Sequence, residues 1–128
     1  MCIRDRVKRV IRTNYSNPPT HGGAVVAAVL ASPELRRQWE DELAGMRERI
    51  RAMRLSLVDK LTAAGATGFD FIKVQRGMFS YTGLTAAQVE RLKSEFGIYA
   101  VSTGRICVAA LNTRNIDYVA KAIAAVLK

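Results

Sequence analysis

Cysteine is scarce in this chain and poorly placed for chemistry. The two present, Cys2 and Cys107, lie far apart, with no second Cys or His at ligand spacing. That argues against a metal site and fits a reducing, cytoplasmic setting. Histidine occurs once, as His21, beside a proline turn. A lone histidine there suits a hydrogen bonder at a helix end better than a catalytic base. Aromatic residues make up only 7% and are scattered. With no recognition-helix motif either, this weighs against a nucleic-acid module. No apolar run is long enough to cross a bilayer, since AVVAAVLA is less than half of a spanning helix. The opening MCIRDR is charged throughout and leads into no apolar h-region, so no secretory signal is expected. Acids are few: 11 against 20 Lys and Arg, for a net charge of +9. G-x-S-x-G, a GKS/T phosphate loop, H-E-x-x-H and suggestively spaced acid pairs are all absent.

What is there is one domain's worth of chain. Its 128 residues, 49% apolar and 24% charged, suffice for a core and match an ordinary globular composition. The positive balance favours an anionic partner, either nucleic acid or small carboxylate or phosphate substrates, although most such charge is ordinarily solvated surface. Residues 1–12 concentrate it, with Arg4, Arg6, Lys8, Arg9 and Arg12 against Asp5.

Residues 7–12, VKRVIR, read as the end of a helix, because NYSNPP follows and proline cannot continue one. Asn17 and Pro18 are expected to be extended, in a loop stiffened against motion. Thr20 is a candidate cap for the next helix, about 22–31, which is apolar on every side and so must be buried all round. Ser32-Pro33-Glu34 reads as N-cap, first helical position and first-turn acid. Leu35, Trp39, Leu43, Met46, Ile50, Met53, Leu57 and Leu61 then recur at steps of three and four. This predicts a helix to about residue 64, roughly 45 Å long, either a coiled-coil seam or a beam joining two domains. Its polar face, with Arg47, Arg49, Arg51 and Arg54 among acids, reads as solvated surface. FDFIKVQRGMFSYTG suggests two short strands turning near Gln75-Arg76-Gly77. Thr85 and Gln88 form a capping-box pattern, and Gly97 stops that helix. IYAV and ICVA read as strands around the turn Ser102–Arg105, and Asn112 or Thr113 as the cap of a last helix. From Gly68 onward the pattern is a small α+β layer able to close its own core. The first half cannot obviously do so, which implies that a large part of the protein is missing, on the N-terminal side.

Among candidate functional residues, the six lysines all sit where an exposed lysine is expected, with no buried context to lower a pKa. Arg105 stands at the base of a turn entering an apolar strand, where a rigid frame would hold its planar fork. Such a fork suits a carboxylate; pairing with a surface acid would explain it equally. Arg12 carries the same ambiguity, because a cation at a helix C-terminus is favourable in itself.

IRTNYSNPPTHGG, RGMFSYTGL and YAVSTGRICVAALN, in this order and spacing, resemble the C-terminal part of class I aminotransferases. These are the pyridoxal-phosphate enzymes of the aspartate and aromatic-amino-acid group. The resemblance runs from about Val7 to Lys128. It implies a fold-type-I α/β architecture for the intact protein: a large domain carrying pyridoxal 5'-phosphate, a small domain built from both chain ends, and a long helix between them. Within this α+β fragment it implies the end of the large-domain region and an interface loop over 7–32. A connecting helix over 33–64 and the small domain over 65–128 follow. Residues 1–6 do not fit the family pattern and are expected to be foreign, with Met1 not the natural start.

The resemblance further implies that Arg105 grips the substrate α-carboxylate. It implies that Arg12 reaches into the neighbouring subunit of a homodimer, toward the side-chain carboxylate of aspartate or glutamate. Phe79 would lie near the pocket wall, with Ser16 and Asn17 in the rigid loop beside Arg12. The family's Schiff-base lysine, phosphate-binding arginine and pyridine-facing aspartate lie upstream of the matching region. No catalytic or cofactor-binding residue is therefore expected here, and the chain alone is expected to be inert and poorly soluble or dimer-seeking. The implied substrates are aspartate, glutamate or aromatic amino acids with 2-oxo acids, and RGMFSYTGL with NTRNIDYVAKAIAAVL leans toward the aromatic branch. Neither nucleic acid nor membrane is implied as a partner. The rival reading is a small basic nucleic-acid-binding module using the N-terminal charge and the arginine-rich helix.

Overall fold

Helices dominate the computed structural model, which describes residues 2–16 and 19–128. Three come first: α1 (Ile3–Tyr15), α2 (Thr20–Ala31) and α3 (Pro33–Ala63). A 3-10 turn at Asp70–Ile72 leads to β1 (Phe79–Tyr81) and α4 (Ala86–Phe96). Strand β2 (Arg105–Cys107), a second 3-10 turn at Val108–Ala110 and α5 (Ile116–Val126) complete the chain. Contacts divide it within α3 into two units, Met1–Ala44 and Gly45–Lys128.

In the first unit, α1 opens with the Asp5 carboxylate accepting the Cys2 N–H at 3.3 Å. Helix α2 follows Pro19, which occupies the cap position, so Thr20 is the first helical residue and caps nothing. Proline pre-sets the backbone for helix entry without a side-chain acceptor. Despite its apolar sequence, α2 has no buried residue, and neither has α1. Among the described residues the burial expected all round α2 is not supplied. The expected extended backbone at Asn17 and Pro18 falls outside the described residues.

Helix α3 begins as its sequence demands, with Ser32 Oγ accepting the Leu35 N–H at 3.3 Å. Its 31 residues span about 46 Å at 1.5 Å per residue. Burial is confined to its C-terminal part, at Arg54, Leu57, Val58 and Leu61. Leu35, Trp39 and Met46, on the same predicted stripe, are exposed.

The second unit holds the core. Leu57 and Leu61 of α3 join Ile72, Leu92 of α4, Val108, and Ile116 and Ile123 of α5, all essentially inaccessible. Each such side chain contributes on the order of 1.5–3 kcal/mol relative to exposure. Helix α4 starts with the predicted capping box, Thr85 Oγ1 accepting from Gln88 N–H and Gln88 Oε1 accepting from Thr85 N–H. It ends at Gly97 in the left-handed conformation.

Three strand and cap expectations are corrected. FDFIKV is not a strand: Phe69 and Ile72, three apart, turn inward together on a 3-10 turn, while Val74 is 73% exposed. IYAV is irregular, with Tyr99 80% exposed: the Ile98 N–H donates back to the Leu92 carbonyl at 3.0 Å, and Val101 closes the turn, its N–H donating to the Arg105 carbonyl at 3.2 Å and its carbonyl accepting the Gly104 N–H at 2.8 Å. The last helix is capped at Asn115, not Asn112 or Thr113. Asn112 instead accepts the N–H groups of Arg114 and Asn115 at 2.9 and 3.2 Å, closing the turn before the helix. The sheet is therefore two-stranded and antiparallel, pairing Phe79 with Cys107, Ser80 with Ile106 and Tyr81 with Arg105.

Candidate functional site

The two-stranded ribbon has one face turned inward and one turned out. Ser80 is buried, while Phe79 and Tyr81 on either side of it are exposed, as strand alternation requires. Arg105 lies opposite Tyr81 and so shares the outer face. From there it reaches diagonally across the ribbon to Phe79, with its guanidinium carbon 5.0 Å from the ring centroid. Such a diagonal cross-strand contact is within reach of long side chains. At an exposed site a cation over an aromatic face is worth about 0.5–1 kcal/mol. Among the described residues no carboxylate pairs with Arg105 and no acceptor takes its N–H groups. Its planar fork of five donors is of the kind that receives a carboxylate through two parallel hydrogen bonds.

The frame beneath Arg105 is closely tied. The Gly104 carbonyl accepts both the Thr82 N–H at 3.0 Å and the Thr82 hydroxyl at 2.7 Å. Gly104 has φ +82°, and a Cβ there would lie 2.8 Å from the Leu84 carbonyl oxygen. Only glycine fits both conditions. On the other edge of β1, the Gln75 amide imitates a neighbouring strand. Its Oε1 accepts the Tyr81 N–H at 2.9 Å and its Nε2 donates to the Tyr81 carbonyl at 3.0 Å. From behind, Arg54 of α3 donates through Nε to Ser80 Oγ at 3.2 Å and through Nη2 to the Gly77 carbonyl. Burial, and then the nearby charge of Arg76, push the Arg54 guanidinium below its ordinary value.

Arg12 belongs to the first unit, in the last turn of α1, with its side chain exposed. Its carbonyl accepts the Ser16 N–H at 2.9 Å. Ser16, the cap residue at the end of α1, has φ +56°, a positive value uncommon for a side-chain-bearing residue. Arg12 and Ser16 are thus neighbours in one turn, as Arg105 and Phe79 are neighbours on one ribbon. Asn17 lies outside the described residues. His21 is exposed in the first turn of α2.

The lysines offer no nucleophile for a carbonyl cofactor. Lys60 pairs with Asp117, Lys73 with Asp59 and Asp70, and Lys93 with Glu90. Lys8, Lys121 and Lys128 are exposed. Hydrogen bonding to Asp70 raises the Lys73 pKa, the reverse of what a nucleophilic amine needs. None of the six lysines is buried. No metal-holding cluster occurs among the described residues.

Sequence reasoning missed Arg54, Arg49, Gln75 and Gly104. The charge pattern places Arg54 on a solvated face, yet it is only 5% exposed. Its position held the signal, because it falls between Ile50 and Leu57 on the inward stripe of α3. Arg49 likewise donates to the carbonyls of Leu111 and Ala109, at 2.9 and 2.7 Å.

The family model described as "Aminotransferase class I and II" matches residues 2–123. The aspartate aminotransferase of Pseudomonas aeruginosa is 68% identical over 126 residues, 98% of this chain and 32% of the relative. The aromatic-amino-acid aminotransferase of Escherichia coli is 54% identical, with the same coverage of 98% and 32%. Among solved structures, the aromatic-amino-acid aminotransferase of Burkholderia pseudomallei, covalently bound to pyridoxal phosphate, is 75% identical. It superposes with a TM-score of 0.91 over 97% of this chain and 31% of that one. A mitochondrial aspartate aminotransferase of Trypanosoma brucei, 42% identical, gives 0.90 over 97% and 33%. The chain spans about a third of the length of these relatives. The basic N-terminal stretch and the arginine-rich helix both fall inside the family match, so the nucleic-acid reading gains no support.

Proposed function

This chain belongs to the class I and II aminotransferase family, and from that we propose that the intact protein is a pyridoxal-phosphate-dependent aminotransferase. It moves an amino group between aspartate, glutamate or aromatic amino acids and 2-oxo acids. The observation that carries this reading is Arg105: a guanidinium with no acceptor among the described residues, 5.0 Å from the Phe79 ring centroid and next to Gly104, where the turn leaves no room for a Cβ.

Pyridoxal 5'-phosphate, when bound, supplies the electron sink for the bonds around the substrate α-carbon. Its anchor belongs to the part of the enzyme that this chain does not span. What these residues do is bind and orient. Arg105 takes the α-carboxylate in its fork, and Phe79 both braces that fork and walls the pocket. Arg12, from the neighbouring subunit of a homodimer, takes the distal carboxylate of aspartate or glutamate, with Ser16 and Asn17 shaping the loop beside it. Two clamped ends fix the rotation of the substrate and lower the entropy still to be lost at the reacting carbon.

In the same proposal, residues 7–32 close the large domain, 33–64 connect, and 65–128 form the small domain. The enzyme works in the cytoplasm, consistent with its free cysteines, and the chain alone is inactive.

Steady-state kinetics of the full-length enzyme test the two roles. Arg105→Ala is expected to lower kcat/KM for aspartate and for tyrosine alike. The loss of a charge-assisted pair, about 1.5–3 kcal/mol, corresponds to roughly 10- to 150-fold. Arg12→Ala is expected to damage aspartate far more than tyrosine or phenylalanine. Equal losses for both substrate classes in the Arg12 variant refute its assignment, and an Arg105 variant that retains full activity refutes the proposal as a whole.

A further inference from the structure

A second concentration of guanidinium groups lies away from Arg105, within the second unit. Arg47, Arg51 and Arg54 project from α3 at steps of four and three, which places them on one helical face. Arg76 joins them from the loop before β1, and together they line a cavity of about 460 Å³. The only acid lining it is Glu48, exposed, whose carboxylate reaches Arg51 at 4.0 Å. Among the described residues Arg47, Arg54 and Arg76 form no ion pair. Arg54 uses Nε and Nη2 on Ser80 and Gly77. Its Nη1 has no partner among the described residues and is not fully buried.

Like charges at this spacing repel, and no side chain within the unit neutralises the excess. The repulsion reaches the buried member, since Arg76 acts on Arg54. A protein tolerates such an arrangement most readily when a negative charge completes it. Arginine suits an oxyanion in particular, because its fork matches the oxygens of a carboxylate or phosphate.

We propose that the cavity lined by Arg47, Arg51, Arg54 and Arg76 is an oxyanion-binding site, taking one carboxylate or phosphate group in addition to any substrate held by Arg105. The remaining Nη1 of Arg54 lies at its floor, and Arg47, Arg51 and Arg76 form its rim. The proposal is independent of the assignment of Arg105, which lies on the outer face of the ribbon. An oxyanion can come from solution or from an acidic side chain in the part of the enzyme that this chain does not span.

The test titrates inorganic phosphate, and separately succinate, into the 128-residue chain at constant ionic strength. The side-chain Nε–H resonance of Arg54 is followed by NMR. A saturable shift with either anion, at least fivefold weaker in Arg76→Gln and in Arg51→Gln, is expected. Both rim variants should keep the circular dichroism spectrum of the parent, because neither residue holds the fold. Glu48→Gln should tighten binding. A linear, non-saturating shift, an equal response to chloride, or rim variants that bind as the parent does overturns the site. The source is separated by repeating the titration on the full-length enzyme. Unchanged affinity identifies a free anion as the occupant. Binding to the short chain alone identifies a carboxylate of the remaining protein.

Discussion

Replacing Gly104 by alanine puts a methyl group where the structure leaves no room. The added Cβ would sit 2.8 Å from the Leu84 carbonyl oxygen, 3.1 Å from its nitrogen and 3.3 Å from Thr82 Oγ1. None of these can withdraw freely. Leu84 is buried and its N–H donates to Thr82 Oγ1 at 3.3 Å. Thr82 in turn donates twice to the Gly104 carbonyl. The backbone conformation alone costs on the order of 1–3 kcal/mol for a residue with a side chain. Relieving the clash must stretch at least one hydrogen bond, worth about 0.5–1.5 kcal/mol. The sum is about 2–4 kcal/mol. In a unit of this size each kcal/mol lowers Tm by roughly 4–8 °C, so a fall of about 10–30 °C is expected by calorimetry. Gly68→Ala is the control: it shares a positive φ, at +86°, but a Cβ there meets nothing within 4 Å. It should show the conformational part alone. If the two variants lose the same Tm, the close approach at Gly104 costs nothing and the rigid mounting of Arg105 is refuted. In the full-length enzyme, Gly104→Ala should also lower kcat/KM for every substrate, because Arg105 follows directly in the chain.

Thr85→Ala removes the hydroxyl that accepts the Gln88 N–H and should cost about 1 kcal/mol, read as a lower urea midpoint with unchanged slope; an unaltered midpoint contradicts the capping role. Arg91 grips Glu95 through two hydrogen bonds, at 2.7 and 3.2 Å, and these hold the Glu95 carboxyl below its ordinary value of 4.5. The pair's contribution to stability is therefore present above that value and is lost as pH falls through the lowered one. An NMR titration of Glu95 should show the depressed midpoint and its return toward 4.5 in Arg91→Gln, and a midpoint indifferent to Arg91 counts against the assignment.

Three helix ends are legible in the sequence because their chemistry is local, whereas the caps expected at Thr20 and at Asn112 or Thr113 fall instead at Pro19 and Asn115. Ser32-Pro33, Thr85 with Gln88, and Gly97 act within one turn of themselves and do in the structure what they promise in sequence. The strands were less legible because their pairing is not local. FDFIKV alternates well enough to suggest the partner of FSY, yet the true partner, Arg105–Cys107, arrives only after α4 has been crossed. Local alternation could not see that the Gln75 side chain already occupies the other edge of β1. In the candidate site, Arg105 stands out from its own turn-and-strand context, while its role and Phe79 come from the family resemblance; the register puts the two within diagonal reach across the ribbon. Arg54 was lost for the opposite reason. Its charge suggests an outward face, but its position, four after Ile50 and three before Leu57, lies on the inward stripe.

That misreading bears on what the net charge of +9 means. A tally of basic residues treats each as a free cation awaiting an anion. In the second unit several are not free. Arg49 donates to the Leu111 and Ala109 carbonyls, Arg54 to Gly77 and Ser80, and Arg91 to the Val126 carbonyl as well as Glu95. These contacts tie helices to segments remote in sequence, and they draw on a planar fork with fixed donor directions, which lysine lacks. Arginine here does structural work on backbone carbonyls that no strand or helix ladder claims. The excess of arginine over lysine is thus partly a property of the fold. Within the second unit, Arg47, Arg76, Arg105 and Arg114 have no side-chain acceptor among the described residues, and it is such unclaimed donors, with the spare Nη1 of Arg54, that keep the capacity to bind an anion.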